Sequence, residues 1–214
     1  MRANFHFHSL TRPALLSLLF VACSNAFAAD ILVKDPQAYD NALKNVQPGD
    51  NIILADGTWQ NFEILFKANG TEEEPITLRG QTPGKVFLSG QSNLRLAGEH
   101  LVVTGLVFKD GFTPTGEVIA FRRNKEDVAN HSRITEVVID NFSNPEKFEQ
   151  DSWVMMYGQH NRFDHNHVVG KRNAGVTMAV RLTTEASQQN HHRIELNHFL
   201  RLWMYSFHPK LYSS

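Results

Sequence analysis

Apolar and polar residues alternate along most of this chain in short runs broken by turn residues, and one run is written twice. In Asn161-Arg162-Phe163-Asp164-His165-Asn166-His167-Val168 and in His192-Arg193-Ile194-Glu195-Leu196-Asn197-His198-Phe199, an apolar residue is followed by an acid, a spacer, an Asn, a spacer and an apolar residue. Val138-Ile139-Asp140-Asn141-Phe142 reads as a shorter version, and Val103-Thr104-Gly105-Leu106-Val107-Phe108 as its apolar skeleton. The closing positions Phe108, Phe142, Val168 and Phe199 lie 34, 26 and 31 residues apart, within the range of a solenoid rung. Period-two alternation means strands with one face inward, and Asn tolerates the left-handed backbone of a tight corner. Stacking the units predicts an all-β, right-handed parallel β-helix, with Asn141, Asn166 and Asn197 in an amide ladder. Short punctuated strands also suit a β-sandwich, and the recurrence at rung length is what argues against it.

The earlier residues fit the same plan. Asp35 can cap a helix, Pro36 suits its first position, and Tyr39, Ala42, Leu43 and Val46 recur at helical spacing before Pro48-Gly49. Such a helix, opening the mature chain, would cover the end of the apolar core. Strands are expected over residues 51–54, 59–66, 75–79 and 86–89, with two more in 93–108. Residues 122–132 read as a polar loop leaving the stack, and strands over 153–157 and 175–182 complete the later rungs.

Composition changes this picture little: 214 residues allow one domain, and 22 acidic against 21 basic residues give a net charge of −1, so no global field marks a nucleic-acid binder. Residues 1–28 have the form of a signal peptide, with Arg2 and Arg12 ahead of a short apolar core and Ala26-Phe27-Ala28 as a cleavage site. The expectation is export to the periplasm or beyond, with no membrane span. Phe20-Val21-Ala22-Cys23 is an imperfect lipoprotein box, and Cys23 is the one cysteine, so the mature chain has no internal disulfide.

Several segments together carry a family resemblance: Gln47-Pro48-Gly49-Asp50 through Ala55-Asp56-Gly57-Thr58-Trp59, Pro75-Ile76-Thr77-Leu78-Arg79-Gly80, Val102-Val103-Thr104-Gly105-Leu106-Val107-Phe108, Tyr157-Gly158-Gln159-His160-Asn161 and Asn190-His191-His192-Arg193. Over about residues 31–199 the chain resembles polysaccharide lyase family six, which contains the alginate lyases and chondroitinase B. Asn-His-Asn-His and Asn-His-His-Arg look more like the alginate-lyase branch. The resemblance implies β-elimination on an anionic uronate polysaccharide, alginate first. A calcium ion held by Asn and Glu oxygens takes up the uronate carboxylate charge, a Lys removes the adjacent proton and an Arg assists the leaving oxygen.

In the family those groups follow the Asn-His-Phe corner. Here residues 200–214 bear no likeness to them, and the one Glu-x-Glu, Glu72 and Glu74, lies on the wrong side of the repeat. The expectation is therefore a lyase domain over 29–199 followed by a divergent tail, as a frameshift or truncated gene would leave, inactive alone and with neither catalytic residues nor calcium ligands to carry over. The alternatives are a non-catalytic polysaccharide-binding module and a non-functional product. Lys171, Arg172 and Arg181, near strand ends on consecutive turns, are the candidate contacts to a sugar carboxylate, with ordinary surface charge the competing reading. Trp153 and Tyr157 could stack on sugars, although an aromatic in such a strand is more often core. His165 and His167, placed on one strand face, have ligand-like spacing for zinc, with His191, His192 and His198 one rung on. No Cys or paired acid completes a set, so no metal site is expected.

Overall fold

The computed structural model describes residues 28–182 and 190–200. Leader residues 1–27, with Cys23, and residues 201–214 of the divergent segment lie outside the described residues. Parallel strands wind into a solenoid with three faces, whose sheets have 7, 6 and 6 strands. The first sheet runs from Asp30–Val33 and Asn51–Leu54 through Ile76–Gly80, Leu101–Thr104, Arg133–Thr135 and Arg162–Asp164 to Arg193–Glu195. The second runs from Gly57–Gln60 to His198–Leu200, and the third from Glu63–Asn69 to Met178–Val180.

Register explains the core. One inward column of the first sheet is Ile52, Leu78, Val103, Ile134, Phe163 and Ile194, each paired with the next. The second sheet contributes Trp59, Leu88, Phe108, Ile139, Val168 and Phe199. The third contributes Ile64, Leu94, Ile119, Val154 and Met178. Strand alternation sends these positions inward on every rung, and each fully buried side chain contributes about 1.5–3 kcal/mol. At the last described rung Ile194 is 44% and Phe199 43% exposed.

The helix forms over Pro36–Asn45, and Asp35 Oδ1 accepts from the Ala38 N–H at 2.8 Å. It buries Tyr39 and Ala42, and the Tyr39 hydroxyl donates to the Leu65 carbonyl at 3.1 Å. It does not open the folded chain, however, because Asp30–Val33 precedes it and pairs with Asn51–Leu54. The strand expected over 59–66 is two strands, since Asn61 takes a positive φ of 54° and turns the corner from the second sheet to the third.

The corners are the most regular part of the coil. His100, His131, His160 and His191 each precede a first-sheet strand, with φ of 52°, 49°, 55° and 50°. Their rings stack in sequence with centroids 5.0, 4.7 and 5.0 Å apart. After the first sheet, Gly105, Glu136, His165 and Leu196 hold the left-handed position. Asn166 and Asn197 do form the amide ladder: the Asn197 Oδ1 accepts from the Asn166 backbone N–H at 3.0 Å and from its side chain at 3.1 Å. Asn141 does not belong to it. Val138–Asp140 is a second-sheet strand paired with His167–Val169, so Asn141 follows that sheet whereas Asn166 precedes it. The Asn166 position is filled one rung earlier by Val137, whose N–H donates to the Asn166 Oδ1 at 2.9 Å. For the same reason Ile139, not Phe142, is the register partner of Phe108; Phe142 packs edge-on against it from the corner.

Candidate functional site

Charged side chains that the core excludes gather outside the third sheet. In Asn93–Glu99, Leu94 and Leu96 point inward and Arg95 outward. Between Glu117–Ala120 and Ala129–Asn130 the chain leaves the sheet in an excursion closed by an antiparallel bridge between Arg122 and Val128. This excursion brings Arg122, Arg123 and Lys125 beside Arg95 and Arg181, around an open cleft of about 440 Å³ whose lining has one carboxylate, Glu117.

Arg122 is held firmly. Its Nη2 donates to Glu117 Oε1 at 3.0 Å, and its guanidinium lies 3.8 Å over the Tyr157 ring. The Tyr157 hydroxyl donates to the same Glu117 oxygen at 2.6 Å. Burial, then the hydrogen bond to Glu117 and its charge, push the Tyr157 phenol up to about 12 against the opposing pull of Arg122 and Arg181. Tyr157 therefore stays protonated at neutral pH and serves as a donor, not a base. Arg123 pairs with Asp127, which also takes Lys67 at 2.9 Å, while Arg95 lies 4.0 Å from Glu63. Guanidinium groups present planar donor forks that match carboxylates, so this cleft is equipped to bind an anion.

Of the residues singled out from sequence, Arg181 lines this cleft. Lys171 does not reach it: its Nζ is buried and donates to Asp151 at 2.6 Å, Asn173 at 2.9 Å and the Ala174 carbonyl at 3.2 Å. Arg172 sits by a different hollow with Asn144, Pro145 and Lys147. The three basic residues thus form no single groove. Arg95, Arg122, Arg123 and Lys125 were missed; the signal was the basic run inside a polar excursion, which reads as a rim loop until the register folds it over the sheet. Trp153 is fully buried core, and Tyr157 is the underside of Arg122.

The histidines separate as well. His165 occupies a corner, with Nδ1 2.6 Å from Asp164, whereas His167 begins the next strand, so the two do not share a strand face. His192 Nδ1 accepts from the Asn161 N–H at 3.2 Å, and burial, followed by neighbouring His160, lowers its pKa to about 4. Among the described residues no group of three or more His, Cys, Asp or Glu is placed to hold a metal ion. A larger cavity of about 580 Å³ is lined by Trp153, Val168, Met178, Phe199 and Leu200 among others, at the last described rungs. Among the described residues no helix is long and apolar enough to cross a membrane.

The family model for Chondroitinase B matches residues 33–202. Among solved structures, the chain is similar to the PL6 family alginate lyase AlyGC, at 81% identity and a TM-score of 0.77, covering 78% of this chain and 23% of that one. A mannuronic acid specific family 6 lyase from human gut microbiota gives 32% identity and a TM-score of 0.71, covering 78% of this chain and 39% of that one. The PL6 family polysaccharide lyase Pedsa3628 from Pseudopedobacter saltans gives 28% and 0.70, covering 77% and 36%. The chain thus spans less than two-fifths of the length of each of these structures. No curated protein matches it. With the family match running over most of the solenoid, from its first strand to its last described rung, the chain belongs to the chondroitinase B family, polysaccharide lyase family six.

Proposed function

We propose that this chain handles an anionic uronate polysaccharide of the alginate class, and that the cleft outside the third sheet is its contact with the polymer. The observation that carries this reading is Arg122, oriented by Glu117 and Tyr157 in a cleft where four further cations converge. Similar structures are named as alginate lyases, one of them specific for mannuronic acid, which supports a polymer bearing one carboxylate per sugar. Export through the leader read in residues 1–28 would bring the cleft to such polymers. The five cations of the cleft lining support gripping the polymer, with the Tyr157 phenol as a hydrogen-bond donor beneath Arg122.

Electrophoresis through gels containing alginate tests the assignment. The chain should be retarded relative to an alginate-free gel, Arg122→Ala and Arg181→Ala should each lose much of that retardation, and chelating calcium should leave it unchanged. Equal mobility of the chain and both variants would remove the cleft as the polymer contact. Absorbance of unsaturated uronate, followed with and without calcium, reports elimination separately.

A further inference from the structure

His167 and His198 are register partners at the start of their second-sheet strands, one rung apart. Val168 points into the core, so strand alternation turns both imidazoles outward. Their Nδ1 atoms are 2.8 Å apart, and the rings are tilted by 50° with centroids 4.6 Å apart. That tilt separates this pair from the stack of His100, His131, His160 and His191, whose rings lie within 14–26° of parallel. A metal ion sits in the plane of each imidazole that binds it, along the nitrogen lone pair. Near-parallel planes stacked at these distances meet only well beyond the rings, so the stack does not present a shared in-plane point beside two of its rings. The planes of His167 and His198 do intersect, and their facing nitrogens already converge.

Without an ion, the pair needs one ring to carry a proton on Nδ1 and the other to accept it. An ion that replaces this proton needs metal–nitrogen bonds of about 2.0–2.1 Å, which correspond to a nitrogen separation of about 3 Å. The observed spacing is within a few tenths of an ångström of that value. Two imidazole nitrogens suit copper, nickel and zinc and disfavour calcium and magnesium, which take oxygen ligands.

The geometry points to His167 and His198 as a two-point surface chelate for a nitrogen-seeking divalent transition-metal ion, Cu²⁺ ahead of Ni²⁺ and Zn²⁺, with water completing the coordination. It is separate from the polymer cleft, which lies outside the third sheet, and from the calcium implied by the family resemblance. Binding ties the last two described rungs of the second sheet together.

Zn²⁺ calorimetry and Cu²⁺ electron paramagnetic resonance on the full chain test it, with His167→Gln, His198→Gln and His131→Asn as variants. The chain should bind with two-nitrogen hyperfine coupling. Each Gln variant should weaken binding by about tenfold or more and reduce the coupling to one nitrogen, since one of two protein bonds is lost. His131→Asn interrupts the ring stack at a corner where Asn tolerates the left-handed backbone, and it should leave binding intact. Circular dichroism establishes that each variant is folded, and having two Gln variants keeps the test available if one fails to fold. Absence of binding by the chain, unchanged binding in both Gln variants, or loss of binding in the stack variant would each overturn the assignment.

Discussion

Replacing Asp164 by Asn isolates the ion-pair ladder on the outer face of the first sheet. Arg133 donates to the Asp164 carboxylate through Nε at 2.8 Å and Nη2 at 2.6 Å, Arg162 approaches at 3.1 Å, and His165 Nδ1 at 2.6 Å. Burial alone would raise the pKa of this carboxyl. The hydrogen bonds from Arg133 and His165 and the charges of Arg133 and Arg162 outweigh burial and hold it at about 2, against an ordinary 3.8. A displacement of nearly two units corresponds to about 2.5 kcal/mol. The carboxylate has no exposed surface, but the side chains of Arg133 and Arg162 are 39% and 32% exposed, so solvent screens the pairing. We therefore expect Asp164→Asn to lower unfolding free energy by about 1–2 kcal/mol at neutral pH, measured by urea denaturation. Because the folded pKa is depressed, this contribution is present above the unfolded pKa and is lost as pH falls from about 4 toward about 2. The difference between the two proteins should shrink over that window. A difference that stays constant from about pH 6 to about pH 2.5, or that is already absent at pH 6, would refute the reasoning.

Two further substitutions probe the corners. Asn161 is fully buried, with Oδ1 accepting from the Ser132 N–H at 2.9 Å and Nδ2 donating to the carbonyls of Ala129 at 2.6 Å and Tyr157 at 2.8 Å. Asn161→Ala removes these bonds and should cost about 2–3 kcal/mol by the same denaturation measurement. Gly158 has φ of 70°, and a Cβ there would meet the Ala129 carbonyl oxygen at 2.1 Å, so Gly158→Ala should cost about 2–4 kcal/mol. Gly116→Ala has nothing within 4 Å and should change stability by less than about 0.5 kcal/mol, a paired control for the Gly158 variant in thermal melts.

What could be read from the sequence was local. The alternation around Phe163 and Ile194 identified the first-sheet strands, Asp35-Pro36 located the helix start, and Asn166 and Asn197 marked a corner. Errors arose where two different corners share a residue type. Asn141 and Asn166 both turn the chain, but on opposite sides of a second-sheet strand, and composition does not distinguish entry from exit. Asn61 broke an expected strand because its left-handed conformation is a property of the rung. The cleft was less legible because Arg95 and Arg181 meet only through the register that carries Arg95 to Ala120, Met155 and Ala179 on successive rungs. No pattern within a single strand encodes that neighbourhood.

A solenoid stacks like on like, so it must manage charge column by column, and the two outer faces do this differently. On the first sheet Arg133, Arg162 and Arg193 are register partners, a repulsive arrangement on its own. Asp164 and Glu195 stand in the adjacent column and bridge them in alternation, and Glu136 adds its charge beside Arg133, so three cations face three anions. Around the third-sheet cleft, Arg95, Arg122, Arg123, Lys125 and Arg181 share the lining with Glu117, five cations against one anion, while Glu63 and Asp127 pair with Arg95 and Arg123 from beyond it. The same chain thus neutralises stacked arginines on one face and leaves cations in excess of carboxylates on another. Uncompensated cations held at fixed positions cost stability through mutual repulsion. A ligand carrying carboxylates at regular intervals would relieve that repulsion along the groove, so under the proposed polymer contact retention in alginate gels should weaken as salt is raised, whereas the internally balanced first sheet should contribute no such dependence.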